Sequence, residues 1–232
     1  MAMDMELESV LRAPAIDMPP YPAKVITLAN SKQMVVRQVK RNEVPILLEA
    51  VKPTMKIERD FYDIVGARLY AELLGWYRYR VRNEYCLVGQ IDGYAVGIVN
   101  GRMVDQKIGM SYHTMAIDRG LKIGAHLFAA KMEYHIEYLN QEEVWITAES
   151  PIGFRRWMIE YDLIKQEGVQ HELGGATSYK LTRQLYFDSK ARLVAGQRPV
   201  PQDQLDYAHE NLQVADEEAI REKICGTLGG QP

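Results

Sequence analysis

Residues 107–125 read KIGMSYHTMAIDRGLKIGA. Residues 107–117 form a strand pattern that runs directly into a turn with glycine at 120 and 124. Beyond it Ile123, Leu127, Ala130, Tyr134 and Tyr138 recur at helical spacing and trace one face. The segment is therefore strand, glycine-containing turn, helix. Just upstream, residues 84–91 and 94–104 flank Asp92-Gly93, a pair that supplies the positive φ angles of a tight hairpin turn. The strand at 107 is thus the third in a row, and the helix after it is a crossover.

Further out, residues 34–39 (MVVRQV) are β-branched and strand-like, and Asn42 precedes a helical stretch carrying Val44, Ile46, Leu47, Leu48 and Val51. From Glu58, Phe61, Val65, Leu69, Leu73 and Trp76 mark the buried stripe of a helix that should end near Gly75. Residues 143–149 (EVWITAE) form a strand, and Pro151 opens a helix through Tyr161. Residues 163–166 offer a further strand, and 179–185 (YKLTRQL) a last one. Three consecutive strands ahead of the first crossover helix define a mixed α/β (α+β) sheet, not the regular alternation of a doubly wound nucleotide fold. Trp145 and Trp157 are expected in the core.

Proline places the boundaries, because it breaks helices and sheet ladders. Pro14, Pro19, Pro20 and Pro22 crowd the start, and Pro199, Pro201 and Pro232 the end. The expected organisation is an arm at 1–33, a domain at 34–187 and a tail at 188–232. The tail carries five basic residues against eight acidic ones, with short helices expected at 204–212 and 216–224. Neither is long enough to stand alone in water, so the tail packs on the domain, binds a partner or stays mobile. Arm and tail are the candidate contacts for a protein partner or a second copy.

The 232 residues are 47% hydrophobic and 25% charged with a net charge of −3, which excludes disorder throughout. No stretch approaches the roughly 18 to 20 consecutive apolar residues of a membrane span, and the acidic start lacks the basic region of a secretory signal. A cytoplasmic location is expected, or that of an intracellular viral component. Cys86 and Cys225 have no CxxC partner, so both are expected as free thiols. His126 and His135 lie nine apart, on opposite faces of one helix, so no metal site is expected there. Phosphate-loop, zincin-helix and nucleophile-elbow motifs are absent.

The turn carries the chemistry. A strand feeding a helix leaves backbone N–H groups without intrahelical partners, and the helix dipole adds positive potential. Gly120 and Gly124 would let a phosphate approach the backbone, with Arg119 and Lys122 within reach. A plain capping turn could be built from the same residues.

At this turn the chain resembles the GNAT acyltransferase superfamily, whose signature at the end of the fourth strand is Gln/Arg-x-x-Gly-x-Gly/Ala. Arg119, Ile123 and Gly124 stand where that pattern expects them, and Lys122 replaces its first glycine. A second family motif, Asn-x-x-Ala-x-x-Leu-Tyr-x-x-x-Gly-Phe, keeps its spacing here with Ser150, Gly153, Trp157 and Tyr161-Asp162 at its named positions. The resemblance covers roughly 34–187 and implies a mostly antiparallel central sheet of six to seven strands flanked by helices. It implies acetyl-CoA as co-substrate. The backbone near Met115 to Ile117 would pair with pantetheine, and the amides of Leu121, Ile123, Gly124 and Ala125 would hold the pyrophosphate. An amine would attack the thioester directly, and a base would take its proton. Glu149 and His113 are the candidate bases, and Tyr161 a displaced acid. His113 is equally an ordinary strand histidine, and Lys122 an ordinary solvated one. The acceptor amine would be set by the region 52–82.

Three functions follow from this reading. The first is an acyl-CoA-dependent N-acyltransferase moving an acetyl group to an amine. The second is a decayed GNAT-fold module for structure or protein binding, favoured by Lys122, Ser150 and Trp157; long ends on a compact domain also suit a larger assembly such as a virus particle. The third, acylation of a nucleic-acid base, ranks last, because the near-neutral domain and acidic tail lack a basic footprint.

Overall fold

Asp92 and Gly93 adopt φ of +53° and +84°, the two positive values of a type I′ turn. They close a hairpin between β3 (Glu84–Ile91) and β4 (Tyr94–Met103). The computed structural model describes residues 16–173 and 177–226. On one side β4 pairs antiparallel with β5 (Ile108–Ala116). On the other, β3 pairs with β2 (Gln33–Gln38), and β2 with β1 (Lys24–Thr27). All eight residues of β3 are buried, as befits a central strand covered on both faces.

Beyond β5 the chain crosses over through α3 (Ile123–Glu133), extended by a π-helical turn at Tyr134–Tyr138, and returns as β6 (Glu143–Ile146) parallel to β5. A parallel neighbour needs such a crossover. β7 (Ile164–Gln170) and β8 (Thr177–Thr182) complete one sheet in the order β1-β2-β3-β4-β5-β6-β8-β7. The fold is a mixed, mostly antiparallel sheet flanked by helices, with eight strands where six to seven were expected.

α1 (Val44–Val51) and α2 (Tyr62–Tyr77) cover one face, where Leu47, Leu69 and Leu73 meet Cys86, Val88 and Ile98. α3 covers the other. Leu127 and Ala130 pack on Leu87 and Val99, while Phe128 and Met132 form a third cluster with Val144, Leu181 and Tyr186. A helix enclosed on both sides in this way is apolar around most of its girth.

Several expected boundaries move. Residues 24–27 join the sheet although they fall in the expected arm, because the backbone of β1 ladders onto β2. Phe61 drops out of the α2 stripe: it sits at φ +62° just before the helix and is half exposed. α2 then runs past Gly75 to Tyr77. The expected last strand stops at Thr182, whose hydroxyl accepts the Leu185 amide and caps α4 (Arg183–Leu193). Trp145 and Trp157 are half-buried, not fully enclosed.

In the tail, α5 (Gln202–Glu210) and α6 (Glu217–Cys225) form near the expected places and pack on the sheet's α1/α2 side, where Leu212, Ile220 and Ile224 enter the first cluster. That apolar face is occupied by the chain's own domain. Among the described residues no helix is long and apolar enough to cross a membrane, and no group of three or more His, Cys, Asp or Glu is placed to hold a metal ion.

Candidate functional site

β5 and β6 are zipped only from Ile108 to Met110 against Glu143 to Trp145. β5 continues to Ala116, still paired to β4 at Gly97, while β6 ends at Ile146. The two strands therefore part, and one edge of β5 faces the gap. Successive residues of an antiparallel pair turn their backbone groups to opposite edges. The Ile117 amide donates to the Val96 carbonyl at 2.9 Å, and the Met115 carbonyl faces Gly97. Thr114 and Ala116 are consequently the residues whose backbone faces the gap, whereas Met115 and Ile117, the ends of the expected pantetheine-pairing stretch, turn backbone groups to β4. Tyr62 reaches across from α2 and donates its hydroxyl to the Ala116 carbonyl at 2.6 Å. The buried Thr114 hydroxyl has no partner among the described residues.

The gap opens into a cavity of about 600 Å³, lined by Thr114, Met115, Ala116, Arg119, Gly120 and residues 122–125, with Ser150, Arg155 and Trp157 opposite. Gly120 has φ +92° and Lys122 φ +58°, so the chain turns through the left-handed region twice before α3 starts. The Lys122 side chain makes no capping bond to this helix, and the first backbone bond into it joins the His126 amide to the Lys122 carbonyl. The amides of Ile123, Gly124 and Ala125 are thus left without intrahelical partners at the positive end of the dipole. Leu121 turns the other way, onto the second core cluster, and is not part of the lining. Arg119 is engaged at 2.6 Å by Asp60, and its guanidinium lies 5.9 Å from the centre of the Tyr62 ring. Lys122 is exposed at the rim. It occupies the backbone conformation that glycine takes most easily, which accounts for glycine at that place in the family pattern.

Deeper in the gap, a smaller recess reaches Tyr112, Glu149 and Phe128. Glu149 Oε2 lies 2.7 Å from His113 Nδ1, and its other oxygen is held by Arg68. His113 Nε2 lies 3.0 Å from Glu72. Burial works against charge on His113, but the hydrogen bonds to Glu149 and Glu72 outweigh it and lift its pKa to about 9. Burial alone would raise Glu149 as well; bonds from His113 and Arg68 overcome that and hold the carboxyl below its ordinary value. The structure thus brings the two candidate bases into contact as an ion pair.

Tyr161 is not with them. It is 3% exposed, packs edge-on to Phe128 in the third core cluster, and lines neither cavity nor recess. Burial raises its hydroxyl far above the ordinary value. Its displacement has a local cause: after Pro151–Gly153, capped by Ser150, the chain winds as a π-helix over Phe154–Ile159. The wider turn changes the phase, so Trp157 faces the cavity, stacked 4.1 Å from Phe128, and Tyr161 faces inward. Of the site residues Thr114, Ala116, Tyr62, Arg155, Arg68 and Glu72, only Ala116 fell within an expected stretch, 115–117. For Thr114, counting along β5 from the hairpin register would have found it.

No family model matches the chain, and no curated protein sequence matches it. Solved structures do. An uncharacterized protein from Bacillus halodurans superposes with a TM-score of 0.53 at 11% identity, over 75% of this chain and 96% of that one. The GNAT domain of S. lividans PAT gives 0.49 at 10% identity, over 72% and 99%. A mutant of the spermidine N-acetyltransferase SpeG from Vibrio cholerae gives 0.43 at 12%, over 66% and 96%. At these identities likeness speaks to fold alone. The shared fold rests on the Bacillus halodurans protein, and the strand meander, crossover helix and parted β5 and β6 of this chain agree with the GNAT resemblance of its sequence.

Proposed function

We propose that the chain binds an acyl-CoA, acetyl-CoA first among them, and transfers the acyl group to an amine. The observation that carries this reading is the row of amides at Ile123, Gly124 and Ala125, without partners among the described residues, opening into a cavity beside a strand edge that β6 has left. A diphosphate fits there, because its oxygens accept hydrogen bonds and its charge complements the helix dipole. Exposed Lys122 and Arg155 add positive charge on the cavity wall. The orphaned Thr114 hydroxyl and the free edge of β5 offer partners to an amide-containing arm.

When bound, acetyl-CoA supplies an activated thioester carbonyl. The chain's own part is to hold the edge of Thr114 and Ala116 open and to keep an ionised carboxylate, Glu149, at the inner end. That carboxylate attracts the incoming ammonium and orients its nitrogen toward the thioester; a carboxyl held below its ordinary value is a weak base, so the proton lost before attack passes to solvent. His113, already protonated between two carboxylates, serves Glu149 rather than the amine. An intracellular site of action goes with this reading, since CoA thioesters are intracellular metabolites.

One observation favours binding without turnover. Trp157 stands where the family pattern has tyrosine. The two phenols at the gap are already committed, Tyr62 to the Ala116 carbonyl and Tyr112 to Glu172. Among the described residues no free phenol is left at the gap to protonate a departing thiolate. Calorimetry with acetyl-CoA, followed by thiol release across a panel of amines, separates the readings. Binding with release supports transfer, and binding alone supports a cofactor-holding module. A folded chain that binds nothing refutes both.

A further inference from the structure

We infer that Glu72 and His113 are positioning residues for Glu149: the run of partners Arg68, Glu149, His113 and Glu72 fixes one carboxylate at the inner end of the gap. The inference rests on the proposed function for the task it gives Glu149, though the run itself does not.

Arg68 and Glu72 lie four residues apart on α2 and so share one face of it. His113 belongs to β5 and Glu149 follows β6. The run therefore ties together the three elements that enclose the gap. His113 is 1% exposed, and each ring nitrogen meets a carboxylate oxygen, at 2.7 Å and 3.0 Å. An ionised carboxylate only accepts hydrogen bonds, so both nitrogens carry hydrogen. A ring so placed has no lone pair with which to take a substrate proton; its part is that of a fixed cation.

Glu72 is itself held. Its second oxygen accepts the Asn100 amide at 2.5 Å, and the Asn100 carbonyl oxygen accepts the His113 backbone N–H at 3.0 Å. Two further ionisable groups flank the run, Glu84 mostly neutral and Lys131 about half charged near neutral pH. Burial, reinforced by Glu72, raises Glu84 on β3 to about 8. Burial lowers Lys131 on α3 to about 7, and its ammonium donates to the carbonyls of Tyr112 and His113 at 3.3 and 3.0 Å. Tyr112 stacks beside the ring, with centroids 6.3 Å apart. Glu149 is then the member of the run that borders the recess.

Side-chain nitrogen NMR of His113 tests the run with no cofactor present. Both ring nitrogens are expected to be protonated at neutral pH, titrating near 9. Glu72→Gln should lower that midpoint by about one unit or more. Glu149→Gln reads the same ring from its other side should the first variant fail to fold. A neutral ring in the wild type, or a midpoint indifferent to both substitutions, overturns the inference. With acetyl-CoA and an amine that supports turnover, Glu72→Gln should lower kcat roughly tenfold and move its acidic limb to lower pH, because His113 stays protonated there and Glu149 loses a negative neighbour, with acetyl-CoA affinity kept within about twofold. Equal loss of kcat and affinity with an unmoved limb would mean that Glu72 only braces the fold, which also overturns it. A wild-type chain that binds no acetyl-CoA refutes the proposed function, whereas the His113 spectra still decide the run.

Discussion

Replacing Gly124 with glutamate separates binding from folding, because its two effects have opposite signs. A Cβ at 124 would meet Ala116 Cβ at 3.6 Å and Thr114 Cγ2 at 3.9 Å, which is ordinary contact. Gly124 lies in the first turn of α3. There glycine is a poor helix former and a carboxylate complements the dipole, so the substitution should stabilise the fold by about 1 kcal/mol. The new side chain leaves the helix toward Thr114 and Ala116, both of which line the cavity. A carboxylate there, on the order of 5 Å from a diphosphate seated on the amides, would repel each unit of charge by about 3 kcal/mol at an effective dielectric near 20. A single such unit corresponds to a loss of about a hundredfold in affinity, which is the least expected for a diphosphate carrying more than one. Calorimetric titration with CoA reads the affinity, and a thermal melt of the same sample reads the fold. The expected result is an unchanged or higher Tm with CoA binding lost or weakened by that factor. Gly124→Ala, adding only the methyl group, should bind within about threefold of wild type, since it adds no charge. A folded Gly124→Glu variant with wild-type affinity would refute the assignment of the diphosphate to this turn.

Lys122→Gly should raise the urea midpoint, since a left-handed conformation costs a non-glycine residue about 1 kcal/mol; an unchanged midpoint would show that the lysine side chain offsets its own backbone strain. His113 has its pKa raised above the unfolded value of 6.5, so its contribution to stability is complete below about 6.5 and is lost as pH rises through about 9. The deficit of His113→Gln in denaturant unfolding should accordingly shrink on going from mildly acidic to strongly basic buffer, and a deficit that stays constant contradicts the ion-pair reading. Glu133 is the reverse case. Burial would raise it, but Arg198, Lys24 and Tyr21 hold its carboxyl down at about 2, so its stabilisation is present above about 4.5 and disappears as pH falls toward 2. Glu133→Gln leaves Lys24 buried without its counter-ion and should cost about 3 kcal/mol or more, read as a lower denaturant midpoint and less resistance to acid. Ile220→Ala in α6 should cost about 2–5 kcal/mol, and a midpoint within experimental error of wild type would show that the tail is not part of the cooperative unit.

What could be read in the sequence was local. Asp92-Gly93 determines its own hairpin, and the apolar spacing of α3 from Ile123 to Tyr134 is a property of one segment. β1 was missed because four prolines lie in the 22 residues ahead of it, and its evidence is pairing with β2, which no local pattern records. Thr182 ends β8 and its hydroxyl caps α4, so alternation over 179–185 runs on where the strand has already given way to a helix. The Arg68 to Glu72 run joins residues tens of positions apart, and only the folded sheet makes its charges neighbours.

Position 122 carries the more general lesson. Judged by residue type, lysine in place of the family's first glycine looks like decay of the anion site. The backbone nonetheless keeps the left-handed turn there, at φ +58°, and the three amides behind it remain uncapped. Glycine at that place eases a conformation rather than supplying a chemical group. A lysine that tolerates the same φ leaves the amides where they were and adds a positive charge at the rim. A motif expressed in residue types therefore tests how easily the turn forms, whereas binding depends on whether it forms at all. The substitution alone is no evidence against an anion site, and of the three departures that favour a decayed enzyme Ser150 and Trp157 remain.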